Sequence, residues 1–202
     1  VGIGNALVDV ISHEGDDFVD RLGVPKGAMT LIDEARATEI YDAMGAAIEI
    51  SGGSAANTIV GVAALGGTAQ YLGKVRNDQL GAVFAHDIRA SGVDFPTAPA
   101  QNGPSTARCY VLVTPDGQRT MNTYLGASQF LPANALDEEA VGGARILFLE
   151  GYLWDPQEPR AAMRRAIEKA RAAGRKVAFT LSDVFVIDRH GDDFRALIED
   201  GL

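Results

Sequence analysis

The sequence predicts an α/β fold in which a mostly parallel central sheet lies between two layers of helices and carries a small antiparallel β element. Three observations predict it. Short apolar runs of strand composition, at 1–11, 69–75, 145–150 and 176–182, alternate with longer stretches. In those stretches apolar residues recur every three or four positions, and strands alternating with such helices build a parallel sheet covered on both sides. One pair of runs breaks the alternation: 106–114 and 119–125 flank Pro115-Asp116-Gly117, whose Pro and Gly suit a tight reversal, so this is an antiparallel hairpin.

Taken in order, 1–11 is apolar and β-branched around its polar members and predicts one central strand buried on both faces, with Asn5 and Asp9 inside it. From Leu31 the pattern changes. Asp33 is a helix N-cap, and Ile40, Met44 and Ile48 mark one face of a helix laid on the sheet. Residues 54–65 are apolar on nearly every face and follow Gly52-Gly53, which predicts a buried helix entered through a tight turn. Leu80, Phe84 and Ile88 mark the next helix, closed by Gly92. Asp155-Pro156 opens another, because Asp caps and Pro belongs in the first turn; Met163, Ile167 and Ala170 form its inner face and Gly174 ends it. Gly201 reads as the cap after a last short helix. The hairpin has two readings at this level, a lid over a site or an edge that completes the sheet. No repeat or low-complexity linker interrupts the chain.

Composition narrows the function classes. The chain has 202 residues, 47% of them hydrophobic, which fits one large domain or two small ones. A net charge of −9 argues against a nucleic-acid partner, which needs a basic face. No apolar run reaches the 18 residues or so that span a bilayer, so no membrane partner is expected. Cys109 is the single cysteine, which excludes an internal disulfide and a cysteine zinc site and agrees with a cytoplasmic location. His13, His86 and His190 share no ligand spacing and read as surface residues, so no metal site is expected. The chain starts at Val1 inside a strand and ends at Leu202 where another strand is due, so further residues are expected on both sides.

Two constellations can carry chemistry. Gly2-Ile3-Gly4 suggests a dinucleotide fingerprint, but Leu7 stands where its third glycine belongs. Asn5 and Asp9 are left unexplained by that motif, since a buried carboxylate costs several kcal/mol unless partners satisfy it. Spaced by four on one strand they lie on the same side, where they either grip vicinal hydroxyls of a ligand or cap a neighbouring loop. Gly52-Gly53-Ser54-Ala55-Ala56-Asn57 adds glycines that admit a ligand to the backbone and amides at a helix N-terminus, with Asn57 one turn inside.

Gly4-Asn5-Ala6-Leu7-Val8-Asp9, the Gly52 to Asn57 run and Gly73-Lys74-Val75-Arg76-Asn77-Asp78-Gln79-Leu80-Gly81 together resemble, in order, the N-terminal signatures of PfkB (ribokinase) family kinases, the adenosine kinase branch in particular. Arg76 departs from the glycine common there. The resemblance implies a ribokinase-like three-layer α/β/α fold with a β lid, here from about 12–32 and 105–126. It implies transfer of the γ-phosphoryl of ATP, with Mg²⁺, to the 5′-hydroxyl of a ribonucleoside such as adenosine. The alternatives are a sugar kinase of the same family and a non-catalytic nucleoside or sugar binder. Asn5, Asp9, Gly52, Gly53 and Asn57 become substrate-binding residues, and Arg119 matches an arginine near the transferred phosphate. Val24, Leu153 and Phe185 fall where relatives line the base pocket, or in ordinary core. Leu181-Ser182-Asp183 resembles the start of a substrate-facing loop. The family's Gly-Ala-Gly-Asp signature, with the catalytic base and anion hole, is not among these residues. The base and the ATP-binding part are therefore expected beyond Leu202, in a monomer or a lid-mediated homodimer.

Overall fold

The computed structural model describes residues 1–200. In chain order these form β1 (Gly2–Ile3), β2 (Leu7–His13), α1 (Asp16–Leu22), β3 (Met29–Leu31), α2 (Glu34–Ala43), β4 (Ile48–Gly52), α3 (Ser54–Ala64) and β5 (Ala69–Leu72). There follow α4 (Gln79–Ala90), β6 (Val93–Asp94), β7 (Ala107–Val113), β8 (Arg119–Tyr124), α5 (Glu138–Gly143), β9 (Ile146–Glu150), α6 (Gln157–Ala172), β10 (Lys176–Thr180) and α7 (Val184–Glu199). Gly201, expected to close the last helix, lies outside the described residues.

The strands make two five-stranded sheets. In the first, ordered β10-β9-β1-β5-β6, every pairing is parallel. Its side chains alternate between two cores as the pleat requires. Tyr71 and Phe148 point to the layer of α3 and α4, whereas Ile3, Leu72, Leu147 and Leu149 point to the layer of α6 and α7. This is the three-layer α/β/α body the periodicity predicts. The second sheet, ordered β3-β8-β7-β2-β4, mixes parallel and antiparallel pairs. Its rear face packs Val8, Val10 and Tyr110 onto α2 and α4, with Leu112 on α1. Its front face carries Leu7, Cys109, Val111 and Met121.

The β7–β8 hairpin lies inside this second sheet and adds nothing to the edge of the parallel one. Gly117, at φ 79°, closes its turn by donating its amide N–H to the Thr114 carbonyl at 2.8 Å. The second sheet is also wider than 12–32 and 105–126, because it takes in β2 and β4.

Several sequence expectations are corrected here. The run 1–11 is two strands in two different sheets, broken at Gly4-Asn5-Ala6. A side chain at Gly4 would place its Cβ 2.7 Å from both the Ala55 Cβ and the Glu150 carboxyl carbon, so the chain crosses there without one. Asp33 does cap α2, accepting from the Arg36 amide, but α2 ends at Ala43 and Ile48 starts an edge strand instead. The helix over 54–64 is buried on one side only: Ala55, Ala56 and Ile59 are inside, while Val62 and Leu65 are exposed. Asp155 does not cap α6, which opens at Pro156, because its carboxylate is bound by Arg189 and His190. His190 is consequently half-buried rather than a surface residue, unlike His13 and His86.

Candidate functional site

The cavity lies where the two sheets meet, at the C-terminal ends of β1 and β9 and against the front face of the second sheet. Its volume is about 230 Å³, just below the roughly 300–1,000 Å³ typical of small-molecule sites. Asn5, Asp9, Gly53, Asn57, Arg119 and Phe185 line it, among the residues singled out from sequence, and Gly52 lies directly behind the Asp9 carboxylate. Leu153 and Val24 are not at the cavity. Leu153 is fully buried in the α6–α7 core, and Val24 packs against Phe18, Val19 and Leu112 beneath the second sheet.

Asn5 and Asp9 reach the cavity by different routes, not as a pair on one strand. Asn5 occupies the break between β1 and β2 and is 3% exposed. Its amide N and Nδ2 donate to Glu150 Oε1 at 2.6 and 3.0 Å, and its Oδ1 accepts from Ser128 Oγ at 2.7 Å. Most of its hydrogen-bonding capacity therefore serves the fold. Asp9 lies on the front face of β2, between Ile50 of β4 and Cys109 of β7. Its carboxylate rests on Gly52, where a Cβ would come within 2.4 Å of Oδ2. Among the described residues no donor meets that carboxylate. Burial pushes it up to about 6, and the charge of Arg119 works in the other direction.

Gly53 makes the turn into α3 with φ 103°, and a side chain there would meet the Asn5 carbonyl oxygen at 2.5 Å. Only glycine fits such a backbone and such an approach. Asn57 follows one turn into α3, exposed on the cavity side. Arg119 opens β8, exposed at the rim.

Sequence reasoning missed a second set. Glu150 ends β9 and is 1% exposed. It accepts from Asn5 twice, from Ser54 Oγ, and from the Ala55 amide at 2.9 Å, so it ties the β1–β2 crossing to the start of α3. Burial pushes its carboxyl up and these donors hold it down. The same argument that picked out Asp9, a carboxylate in an apolar strand, applies to Leu147-Phe148-Leu149-Glu150 and was the available signal. Tyr152 faces Phe185 of α7 with ring centroids 5.9 Å apart. Burial and the nearby Asp183 push its hydroxyl up to about 12. Gly151 lets this turn approach the Leu181 carbonyl, 2.9 Å from where a Cβ would stand, and Ser182 takes a left-handed φ of 69° to accept from the Tyr152 amide at 3.1 Å. A non-glycine residue in that region is strained backbone, which collects at functional sites. Asp155, Met121 and Thr123 also line the cavity.

The cavity thus has a polar end, built from Asp9, Asn57, Gly53 and Arg119, and an aromatic end, built from Tyr152 and Phe185. Among the described residues no group of three or more His, Cys, Asp or Glu side chains is placed to hold a metal ion. Among the described residues no helix is long and apolar enough to cross a membrane.

A crevice at the carboxyl ends of parallel strands, walled by a second sheet, is a small-molecule site of the α/β class. The family follows: the model of the pfkB family of carbohydrate kinases matches residues 31–200, and the chain belongs to that family. An adenosine kinase from Sinorhizobium meliloti is 49% identical, with a TM-score of 0.93 over 99% of this chain and 61% of that one. A probable sugar kinase protein from Rhizobium etli CFN 42 is 46% identical, with a TM-score of 0.94 over the same shares. The guanosine-inosine kinase of Escherichia coli K12 is 28% identical over 99% of this chain and 48% of its own length. The chain therefore spans about half the length of that curated relative.

Proposed function

We propose that the whole protein is an ATP-dependent kinase of the 5′-hydroxyl of a ribonucleoside, with adenosine as the expected substrate. One observation carries this: a carboxylate without a protein donor and an aromatic pair share a single cavity. Asp9 accepts from the vicinal sugar hydroxyls, and this use of its lone pairs offsets the burial that raises it. The base lies against the Tyr152 and Phe185 rings, which supply apolar area and stacking. Asn57 and the start of α3 offer donors to the sugar, and Arg119 places positive charge at the rim, where a phosphoryl group accumulates negative charge. ATP, with Mg²⁺, would supply the transferred phosphoryl group. The described residues bind and orient the acceptor, and none is assigned as the base.

The names of the Sinorhizobium and Escherichia relatives support a nucleoside; that of the Rhizobium relative supports a sugar kinase. The polar end serves a free sugar equally well, whereas the aromatic end has no work to do for one. Thermal melts of the whole protein with adenosine, inosine, guanosine, ribose and fructose separate the two. A purine nucleoside at a hundred times its Kd is expected to add about 2.7 kcal/mol of stability. Stabilisation by ribose or fructose but by no nucleoside moves the assignment to a sugar kinase.

A further inference from the structure

We propose that Asp155 reads the base: its carboxylate accepts a hydrogen bond from an N–H on the purine edge, so the site selects purine nucleosides that carry a donor there. The inference rests on the nucleoside reading above and extends it from the class of substrate to the discrimination among bases.

Asp155 follows the turn Gly151–Trp154 and lines the cavity at its aromatic end, with Tyr152 and Phe185. Its orientation is set from behind. Oδ1 accepts from Arg189 Nε at 3.0 Å and meets His190 Nε2 at 2.6 Å, while Oδ2 accepts from Arg189 Nη2. A forked guanidinium contact of this kind fixes the plane of a carboxylate as well as its position. Arg189 is itself held over the Phe185 ring, 4.8 Å from its centroid. His190 reaches Asp155 because α7 leaves helical geometry at that residue, φ −129° and ψ 16°.

A carboxylate offers about four acceptor positions. Three are filled, so Oδ2 keeps one, and 31% of the side chain is exposed. Asp193 is the contrast. It takes Trp154 Nε1 at 2.9 Å and Arg164 at 3.2 Å, and lines no part of this cavity. Aromatic rings pack against the face of any flat heterocycle and distinguish heterocycles poorly. A fixed acceptor beside them distinguishes edges, because a base without a donor leaves that acceptor desolvated and unmatched. Adenine offers its exocyclic amino group and hypoxanthine its ring N–H, whereas unsubstituted purine offers neither.

Calorimetric titration of the whole protein with adenosine and with unsubstituted purine riboside tests this, in the wild type and in Asp155→Asn. The wild type is expected to bind adenosine about tenfold or more tightly than purine riboside. In Asp155→Asn the ratio falls to within about threefold while the affinity for purine riboside holds. Equal wild-type affinity for the two nucleosides overturns the proposal whether or not the variant folds. A variant that weakens both nucleosides by the same factor also overturns it, since that is the signature of a purely structural ion pair. Binding of ribose or fructose with no heat from either nucleoside is the distinct failure of the nucleoside reading, and it removes this inference as well.

Discussion

Strand β9 of the parallel sheet and strand β2 of the second sheet each bring one carboxylate to the cavity, and the two carboxylates live under opposite conditions. Glu150, at the end of β9, is fully buried and receives hydrogen bonds from two backbone amides, one side-chain amide and one hydroxyl. Asp9, on β2, is less buried, receives none among the described residues, and is pushed up to about 6. A desolvated carboxylate surrounded by donors is part of the framework. One that lacks them stores unfavourable energy that a ligand bearing hydroxyls relieves. At the cavity, the parallel sheet therefore acts as a floor whose carboxylate is satisfied by protein donors, and the second sheet as a wall whose carboxylate receives none among the described residues.

The largest effect expected from this contrast is at the floor. Glu150→Ala strands the Asn5 and Ala55 amides at the junction of three elements, and removing one side of such a buried network costs about 3–5 kcal/mol. Urea unfolding measures it. A loss under about 1 kcal/mol means that water replaces the carboxylate there, and the floor is no more self-sufficient than the wall.

At the wall the sign reverses. Asp9 binds its proton more tightly folded than unfolded, so its contribution to stability is fully present below pH 4 and is lost as the pH rises through about 6. Asp9→Asn removes that loss, so the unliganded variant is expected to gain about 2–3 kcal/mol at pH 7.5 and almost nothing at pH 4. Nucleoside affinity falls in the same variant by roughly ten- to a hundredfold. Melts at the two pH values, beside calorimetric titration, read both. An unchanged Kd takes Asp9 out of the site, and a destabilised variant at pH 7.5 means that its carboxylate has protein donors after all.

Sequence reading found the wall's carboxylate and missed the floor's, for a physical reason. Asp9 interrupts a β-branched run, and a charge inside such a run stands out; Glu150 ends its strand, where a polar residue looks like the start of a loop. The three-layer body was legible because β9, β5, α4 and α6 are local patterns of period two or three to four. The break at Gly4 was not, since it depends on Ala55 and Glu150, far away along the chain. Ile48 continued the spacing of Ile40 and Met44 across Gly45, and periodicity cannot see that α2 stops there. Tyr152 and Leu153 are adjacent and both apolar enough for a base pocket; which one faces the cavity is set by the turn Gly151–Trp154, not by composition. Asp155 looked like a cap because its true partners, Arg189 and His190, lie 34 and 35 residues on.

Gly52 sharpens the comparison on a smaller scale. A Cβ there meets the Asp9 carboxylate at 2.4 Å, and its three nearest atoms all belong to that one flexible side chain. Gly52→Ala is therefore expected to cost only about 1 kcal/mol in stability, because the carboxylate swings aside rather than the backbone. Swinging aside moves the sugar's acceptor, so affinity for nucleoside is expected to drop about tenfold, a disproportion that a joint melt and titration detects. Equal losses in stability and binding mean that Asp9 is held more rigidly than its missing hydrogen bonds imply.

The smallest effect expected is at β4, the edge of the wall. Ile48 is 69% exposed and Ile50 46%, on a strand whose outer side pairs with no further strand among the described residues. Side chains this open have little apolar contact to lose, so Ile48→Thr is expected to change stability by no more than about 0.5 kcal/mol. Leu149→Ala in β9, at zero exposure, is expected to cost about 2–5 kcal/mol. The pair is informative because both changes shorten an aliphatic side chain on a strand, one open at an edge and one fully buried. If the edge were an independent source of stability, through association of second sheets in a homodimer, Ile48→Thr would instead lower the melting temperature in a way that depends on protein concentration, since the stability of an obligate dimer varies with protomer concentration. Melts of Ile48→Thr across a hundredfold range of concentration distinguish the cases. A melting temperature that stays within a degree of wild type at every concentration places the stability of this protein in its floor and leaves the wall free to serve the ligand.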